Sequence, residues 1–168
     1  MNRPLTDRRD GRTIHAYEPR AVPWLSVVFG YGPMLPFLAG GALVWLLRGE
    51  AGAAIFTLTL LWGCAILLFL SGVRRGVSFR TEGGARVSQI VTMLGLFFLG
   101  FSALVAFALG FVVAALGLLI VGYVAIAVLD PIAARRGEAP LFFERLRPFQ
   151  MPLAVLGLAA LLAYRLLA

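Results

Sequence analysis

Residues 87–129 contain no charged side chain, and this 43-residue run constrains the fold more than any other feature of the chain. As a single α-helix the run would be about 65 Å long, roughly twice the thickness of the hydrocarbon core of a bilayer. About a quarter of the residues in an ordinary soluble domain are charged, so an uncharged run of 43 residues is not typical of soluble domains. We therefore predict two membrane helices joined by a tight turn at residues 108–111.

The composition extends this prediction to the whole chain, because hydrophobic residues make up 61%, charged residues 14%, and the mean hydropathy is +0.92. Apolar runs predict spans at about 24–47, 53–73, 87–107, 110–129 and 151–167. We expect Asp130 and Pro131 to end the fourth span, since proline does not continue a helix, and Pro152 to lie in the first turn of the fifth. The predicted fold is an all-α, polytopic membrane bundle of five transmembrane helices over residues 24–168, preceded by a polar tail, 1–23.

The arginines predict the orientation of these spans. With five spans, 13 of the 15 arginines share one side, and only Arg48 and Arg165 lie on the other. The 13 are Arg3, Arg8, Arg9, Arg12, Arg20, Arg74, Arg75, Arg80, Arg86, Arg135, Arg136, Arg145 and Arg147. The positive-inside rule then places the N-terminus in the cytoplasm and the C-terminus outside, in a multi-pass protein of the bacterial cytoplasmic (inner) membrane.

The charge pattern also predicts the partners. The net charge is +7, and the tail has neither the short apolar segment nor the cleavage site of a signal peptide. Because the arginines flank spans instead of forming a separate basic domain, we expect them to contact the anionic headgroups of the lipid bilayer, and we predict no binding of nucleic acid. Other membrane proteins are candidate partners.

Most membrane chemistries lack the residues they need. The single histidine, His15, lies in the tail, so one chain does not supply two haem ligands. The single cysteine, Cys64, rules out an internal disulfide and a cysteine metal cluster. No ionisable side chain falls at the middle of a predicted span, whereas proton relays and many ion-coupled transporters require one. We predict no catalytic residue, no cofactor and no metal, and therefore no enzyme.

Three weaker patterns leave alternatives open. Gln89 and Thr92 share a helix face and either bond across helices or line a polar cavity. Small residues repeat every four positions, which predicts a close approach of backbones, either within the bundle or at an interface for a partner; they are Ser102, Ala106 and Gly110 in one row and Gly72 and Gly76 in another. Residues 140–149 mix apolar and charged side chains and predict a short amphipathic helix on the membrane surface, for adhesion or for docking a partner.

The first span carries an unusual break, in which Gly30, Gly32, Pro33 and Pro36 interrupt an otherwise apolar helix. Each proline removes a backbone N–H and displaces the carbonyl four residues back, which frees the carbonyls of Phe29 and Gly32. Discontinuous helices bind ions and substrates in some transporters, but prolines are also tolerated as simple kinks when neighbours satisfy the backbone. A binding site should place polar groups such as Thr59 or Trp62 near these carbonyls.

Two segments carry a resemblance to a known family. FGYGPMLPF at 29–37 and WGCAILLFLSGVRRG at 62–76 resemble a family of small, uncharacterised integral membrane proteins of proteobacteria that includes a mitochondrial transmembrane protein of animals. The matching positions are Gly30, Pro36, Phe37, Gly63, Ile66, Leu67, Phe69, Leu70, Gly72 and Gly76. The departures are Pro33, Trp62, Leu68, Ser71 and Arg75. The resemblance implies a membrane protein and makes the kink at Pro36 a family feature, but it brings no activity.

Two functional hypotheses follow. The first is a structural, accessory or assembly factor for a membrane complex of the respiratory type. The second is a transporter or channel for ions or small molecules, with its site at the broken first span. The candidate motif for either role consists of Gly30, Gly32, Pro33, Pro36, Phe37, Trp62, Gly63, Phe69, Gly72 and Gly76.

Overall fold

The computed structural model describes residues 22–79 and 84–168. They form α1 (Trp24–Tyr31), a 3₁₀ turn (Gly32–Met34), α2 (Leu35–Leu46), α3 (Gly49–Ser78), α4 (Val87–Ala108), α5 (Val112–Arg135) and α6 (Phe143–Leu167), with no strand in these two ranges. Five segments are long and apolar enough to cross a membrane, the first being α1, the turn and α2 together. The predicted all-α fold with five membrane helices is confirmed. Residues 1–21 of the predicted tail, including His15, and Arg80 lie outside the described ranges.

The predicted hairpin in the uncharged run is confirmed. α4 ends at Ala108 and α5 begins at Val112. Gly110 adopts a φ of 84°, a conformation that favours glycine, and this reverses the chain within one turn. The Phe111 N–H then bonds to the Ala106 carbonyl over 2.8 Å, which closes the end of α4.

The predicted helix ends at Asp130 and Met151 are wrong. α5 continues through Pro131 to Arg135, and α6 begins eight residues earlier than predicted, so Pro148 and Pro152 lie inside it. The separate surface helix predicted at 140–149 is therefore also wrong, since most of it forms the first turns of α6. Prolines are accommodated within membrane helices when neighbouring groups compensate for the lost backbone bonds, so proline alone did not define these ends.

The helices close into a ring. Each span packs against the next along the chain, and α6 returns to pack against α2. α3 and α5 end, and α4 and α6 begin, at one end of the bundle. We call this the arginine-rich end, and its described arginines are Arg74, Arg75, Arg86, Arg135, Arg136, Arg145 and Arg147. α1 also begins there, because its residue Gly30 contacts Gln150 near the start of α6.

The lateral surface of the bundle is apolar. Large side chains such as Phe29, Phe69, Val91 and Phe98 lie more than half exposed around it. A soluble monomer does not expose apolar surface on this scale, because each patch would remain in unfavourable contact with water. The surface fits lipid tails instead, as expected for a multi-pass membrane protein.

Candidate functional site

The break in the first span is a short 3₁₀ turn between two α-helices. Pro33 and Pro36 fall where α-helical bonds would need their missing N–H groups, and the backbone responds with the 3₁₀ turn Gly32–Met34. The Leu35 N–H donates to the Gly32 carbonyl, so that carbonyl remains bonded within the chain segment itself. The break therefore changes the helix type locally but does not leave the first span unwound.

Two other helices bond to the backbone at this break. The indole Nε1–H of Trp62 on α3 donates to the Pro33 carbonyl over 2.9 Å. The amide Nε2–H of Gln150 on α6 donates to the Gly30 carbonyl over 2.6 Å. Trp62 thus approaches the break, but at Pro33 instead of at Phe29 or Gly32, where a binding site would have placed it. Thr59, the other polar group that a binding site would have used, donates its hydroxyl to the Ile55 carbonyl of its own helix.

Phe37 and Gly63 of the candidate motif meet at the centre of the bundle. Phe37 is fully buried, and its ring packs edge-on against Tyr123, with 5.3 Å between ring centroids. The Tyr123 hydroxyl donates to the Gly63 carbonyl over 2.8 Å. A Cβ atom at Gly63 would approach Leu119 Cδ1 to 3.0 Å, so the absence of a side chain allows this packing. These motif residues hold α2, α3 and α5 together.

Five other residues of the candidate motif lie away from the bundle centre formed by Phe37, Gly63 and Tyr123. Gly32, Pro36, Phe69, Gly72 and Gly76 are exposed on the bundle surface. The predicted packing within the bundle along Gly72 and Gly76 is wrong, since no atom of another helix lies within 4 Å of a Cβ built there, and an interface for a partner stays a prediction. The row Ser102, Ala106 and Gly110 also lies at the surface, with only Ala106 half-buried. The tight approaches occur at other glycines, which are Gly30, Gly40, Gly41, Gly52, Gly63, Gly100, Gly122 and Gly157.

Gln89 makes the cross-element bond expected of a packing residue. Its Nε2–H donates to the Glu138 carbonyl over 2.9 Å, and its Oε1 accepts from the Arg86 N–H at the start of α4. Thr92 instead donates to the Ser88 carbonyl of its own helix. The pair therefore belongs to the packing of the arginine-rich end and not to a shared polar cavity.

A buried charged cluster at the arginine-rich end went unrecognised in the sequence. Asp130 on α5 accepts from Arg74 Nε on α3 over 2.8 Å at one carboxylate oxygen, and its other oxygen lies 3.0 Å from Arg147 Nε on α6. The exposed side-chain fractions are only 12% for Arg74, 4% for Asp130 and 7% for Arg147. These three residues, which we call the Asp130 cluster, tie three helices together where a separated charge would be very unfavourable.

The Asp130 cluster connects to the break in the first span. Arg147 Nη1–H donates to Gln150 Oε1 over 3.0 Å, and the same Gln150 side chain donates to the Gly30 carbonyl. The Arg147 guanidinium also lies over the Phe143 ring at 4.4 Å, a favourable cation–π distance. One polar chain therefore runs from α3 through α5 and α6 to α1.

A cleft of about 170 Å³ lies between α1, α3 and the start of α6. Its walls are mainly apolar, and Arg147, Gln150 and the backbone at Gly30 contribute the polar part. The apolar lining comprises Phe29, Pro33, Met34, Ile66, Phe69, Leu70, Val73, Phe142, Phe143 and Leu146, with Ser26 at its margin. Phe29 and Phe69 are 73% and 65% exposed, so the cleft opens sideways onto the apolar surface of the bundle.

Within the described ranges, no group of three or more His, Cys, Asp or Glu side chains is arranged to hold a metal ion. Cys64 is buried in the core. The polar groups available for binding at the cleft are the guanidinium of Arg147 and the amide of Gln150, beside an apolar wall.

Comparison with protein-family models, with curated proteins and with solved structures finds no match to this chain.

The Trp62 indole gives a direct test of the joint between α3 and the broken span. Trp62→Phe keeps the aromatic character but removes the donor to the Pro33 carbonyl, so we expect a loss of about 0.5–1.5 kcal/mol in the free energy of unfolding in detergent micelles. Trp24→Phe, at an exposed position at the start of α1, is the matched control and should change it by less than about 0.5 kcal/mol. Equal effects of the two substitutions would contradict a structural role for this bond.

Proposed function

We propose that this protein is a non-enzymatic structural, accessory or assembly factor for a larger complex in the bacterial cytoplasmic membrane. The observation that carries this proposal is the closed state of the break in the first span. Trp62 and Gln150 from two other helices bond to its backbone, as expected for a joint that holds a bundle together. An ion site would instead leave such carbonyls without protein donors, free to coordinate the ion.

The position of the charged residues agrees with this role. Arg147 is the fifth residue of α6, and Asp130 lies five residues before the end of α5, so the Asp130 cluster lies about 6–8 Å inside the helix ends. A proton or ion pathway needs polar groups that continue toward the middle of the membrane. Toward the middle, the centre of the bundle holds the apolar side chains of Phe37 and Leu119, and the hydroxyl of Tyr123 there is already bonded to the Gly63 carbonyl.

The respiratory type of the complex is the finer part of the proposal. It rests on the resemblance of residues 29–37 and 62–76 to a family with a mitochondrial member. In this chain the two segments bond to each other through Trp62 and Pro33, so they form one structural unit. A factor that stabilises a multi-subunit membrane complex needs such a rigid core and an apolar lateral surface for its neighbours.

The orientation is part of the same proposal, with the arginine-rich end in the cytoplasm. Reporter fusions at Glu138 should give a cytoplasmic signal, and fusions after Ala168 should give a periplasmic one. A fusion at Arg48, between α2 and α3, is the internal control and should also report the periplasm. A cytoplasmic signal after Ala168 would contradict the odd number of spans and the assigned orientation.

A transporter or channel is the second candidate, and the cleft beside Pro33 favours it. Its volume of about 170 Å³ is small, since pockets that enclose small-molecule ligands measure about 300–1,000 Å³. Pro36→Ala separates the two roles in purified, folded protein. An accessory factor should change only in stability or assembly, whereas a transporter should lose solute or ion flux across proteoliposomes.

Gentle purification tests the proposed function directly. A tagged chain extracted in mild detergent should bring down the subunits of one membrane complex in fixed ratio, and deletion of the chain should lower the amount of that complex on native gels. An unrelated tagged multi-pass protein at the same expression level is the control. Recovery of the chain alone, with unchanged membrane complexes and measurable flux, would favour the transporter.

A further inference from the structure

We propose that the cleft between α1, α3 and α6 is a binding site for one anionic phospholipid, whose phosphate group pairs with Arg147 while part of an acyl chain fills the apolar lining. This inference does not depend on the proposed function, since an accessory factor and a transporter can each hold such a lipid. It rests on charge, on depth in the membrane, and on the shape of the cleft.

The Asp130 cluster carries a net positive charge, which favours binding of an anion. Two guanidinium groups share one carboxylate, which leaves a charge of +1 in a place that water hardly reaches. The two other carboxylates at the arginine-rich end within the described ranges already have partners. Glu138 pairs with Arg86, and Glu144 pairs with Arg135. A single negative charge beside Arg147 would complete the balance.

The position of the cluster along the helices suits lipid phosphates. Arg147 lies about 6 Å inside the start of α6, and we infer from this a level near the boundary between headgroups and acyl chains. Basic pockets between membrane helices at this level suit the headgroups of anionic lipids. The Arg147 guanidinium is also fixed, because Asp130, Gln150 and the Phe143 ring contact it from three directions. Such a group is already oriented for a phosphate.

The size and opening of the cleft favour a lipid over a soluble ligand. At about 170 Å³ it encloses only a fragment of an amphiphile, and the remainder must stay outside. Phe29 and Phe69 at the exposed edge lead from the cleft to the apolar lateral surface. The part of a phospholipid that stays outside the cleft can lie among the other lipid tails at no cost in solvation. The outer part of a water-soluble molecule would have to leave water for this apolar surface, which is unfavourable.

Native mass spectrometry of the purified chain provides the test, with dioleoyl phosphatidylglycerol and dioleoyl phosphatidylcholine as probes. The two lipids share their acyl chains and differ in net charge. We expect one phosphatidylglycerol to bind per chain in preference to phosphatidylcholine. Arg147→Gln should weaken that binding about tenfold or more, the size expected for a lost charge-assisted hydrogen bond. Arg145→Gln, an exposed arginine two residues away, is the matched control and should change it less than about twofold.

A second variant blocks the cleft while leaving the Asp130 cluster intact, which keeps the test valid if Arg147→Gln fails to fold. Val73→Trp places a large side chain in the lining and should abolish the preference for phosphatidylglycerol. Val121→Trp, on the exposed face of α5, should leave the preference unchanged. The proposal is overturned if wild-type protein binds both lipids equally, if Arg145→Gln and Arg147→Gln weaken binding equally, or if millimolar inorganic phosphate displaces the lipid.

Discussion

Asp130→Asn should lower the free energy of unfolding by about 3–5 kcal/mol, the cost of removing one partner from a buried ion pair. Within the described ranges, Asp130 is the carboxylate that both Arg74 and Arg147 contact. Asparagine has nearly the same shape, so the loss reports charge and not volume. Two guanidinium groups would then face each other across a space with little water, and α3, α5 and α6 would lose their common anchor. Equilibrium unfolding in mixed detergent micelles measures the effect.

Glu144→Gln is the matched control for this prediction. Glu144 also pairs with an arginine, at 2.8 Å from Arg135 Nε, but its side chain is 41% exposed. Exposed ion pairs contribute about 0–1 kcal/mol, so this substitution should have little effect. The double substitution Asp130→Asn with Arg147→Gln should recover part of the stability, because one of the two unpaired charges is removed. Similar losses for Asp130→Asn and Glu144→Gln would contradict the buried cluster.

Gly157→Ala should reduce the free energy of unfolding by about 1–3 kcal/mol, the usual cost of overpacking a membrane or soluble core. A Cβ atom at this position of α6 would overlap the backbone of Phe37 and come within 2.8 Å of its Cβ. Backbone atoms do not rotate aside as a flexible side chain does. α2 and α6 would therefore have to separate, and the ring of helices would loosen along their contact.

The control for this substitution is Gly117→Ala, also a glycine inside a helix. No atom lies within 4 Å of a Cβ built at Gly117, so the new methyl group meets open space. Alanine is favoured over glycine inside helices by about 0.5–1 kcal/mol, and we expect Gly117→Ala to stabilise the protein by that amount. The same unfolding assay compares both variants, and opposite signs are the expected outcome. Destabilisation of equal size at both positions would refute the close contact at Gly157.

The predictions that succeeded from sequence depend on length and charge alone. The turn at Gly110 follows because 43 uncharged residues do not fit across a bilayer as one helix. The end predicted at Asp130 is wrong because the rule that proline stops helices is local, whereas the surrounding helices decide here. The start predicted at Met151 is wrong because the apolar run and Pro152 mark only part of α6, which begins at Phe143. Asp130 remains helical while its carboxylate is held by arginines from two other helices, and the sequence alone does not say which helices are neighbours.

The residues of the candidate site were likewise only partly predictable from the sequence. Trp62 and the prolines of the first span were visible as unusual polar or rigid residues in an apolar setting, and the structure brings Trp62 and Pro33 together. The sequence indicates Arg74 and Arg147 as markers of orientation and as headgroup contacts, but not as partners of one carboxylate, because Asp130 lies 56 residues from Arg74. A spacing of four residues placed Gly72 and Gly76 on one face without specifying that the face is exposed.

The ring of helices closes through α6, and this determines when the fold is completed during synthesis. Gln150, the donor to the Gly30 carbonyl, follows it by 120 residues, and Gly157, which receives the Phe37 backbone, comes later still. The ribosome delivers the N-terminal helices first. The broken first span is therefore made long before its last partner, and until α6 follows the chain is an open arc without the contacts that close the ring.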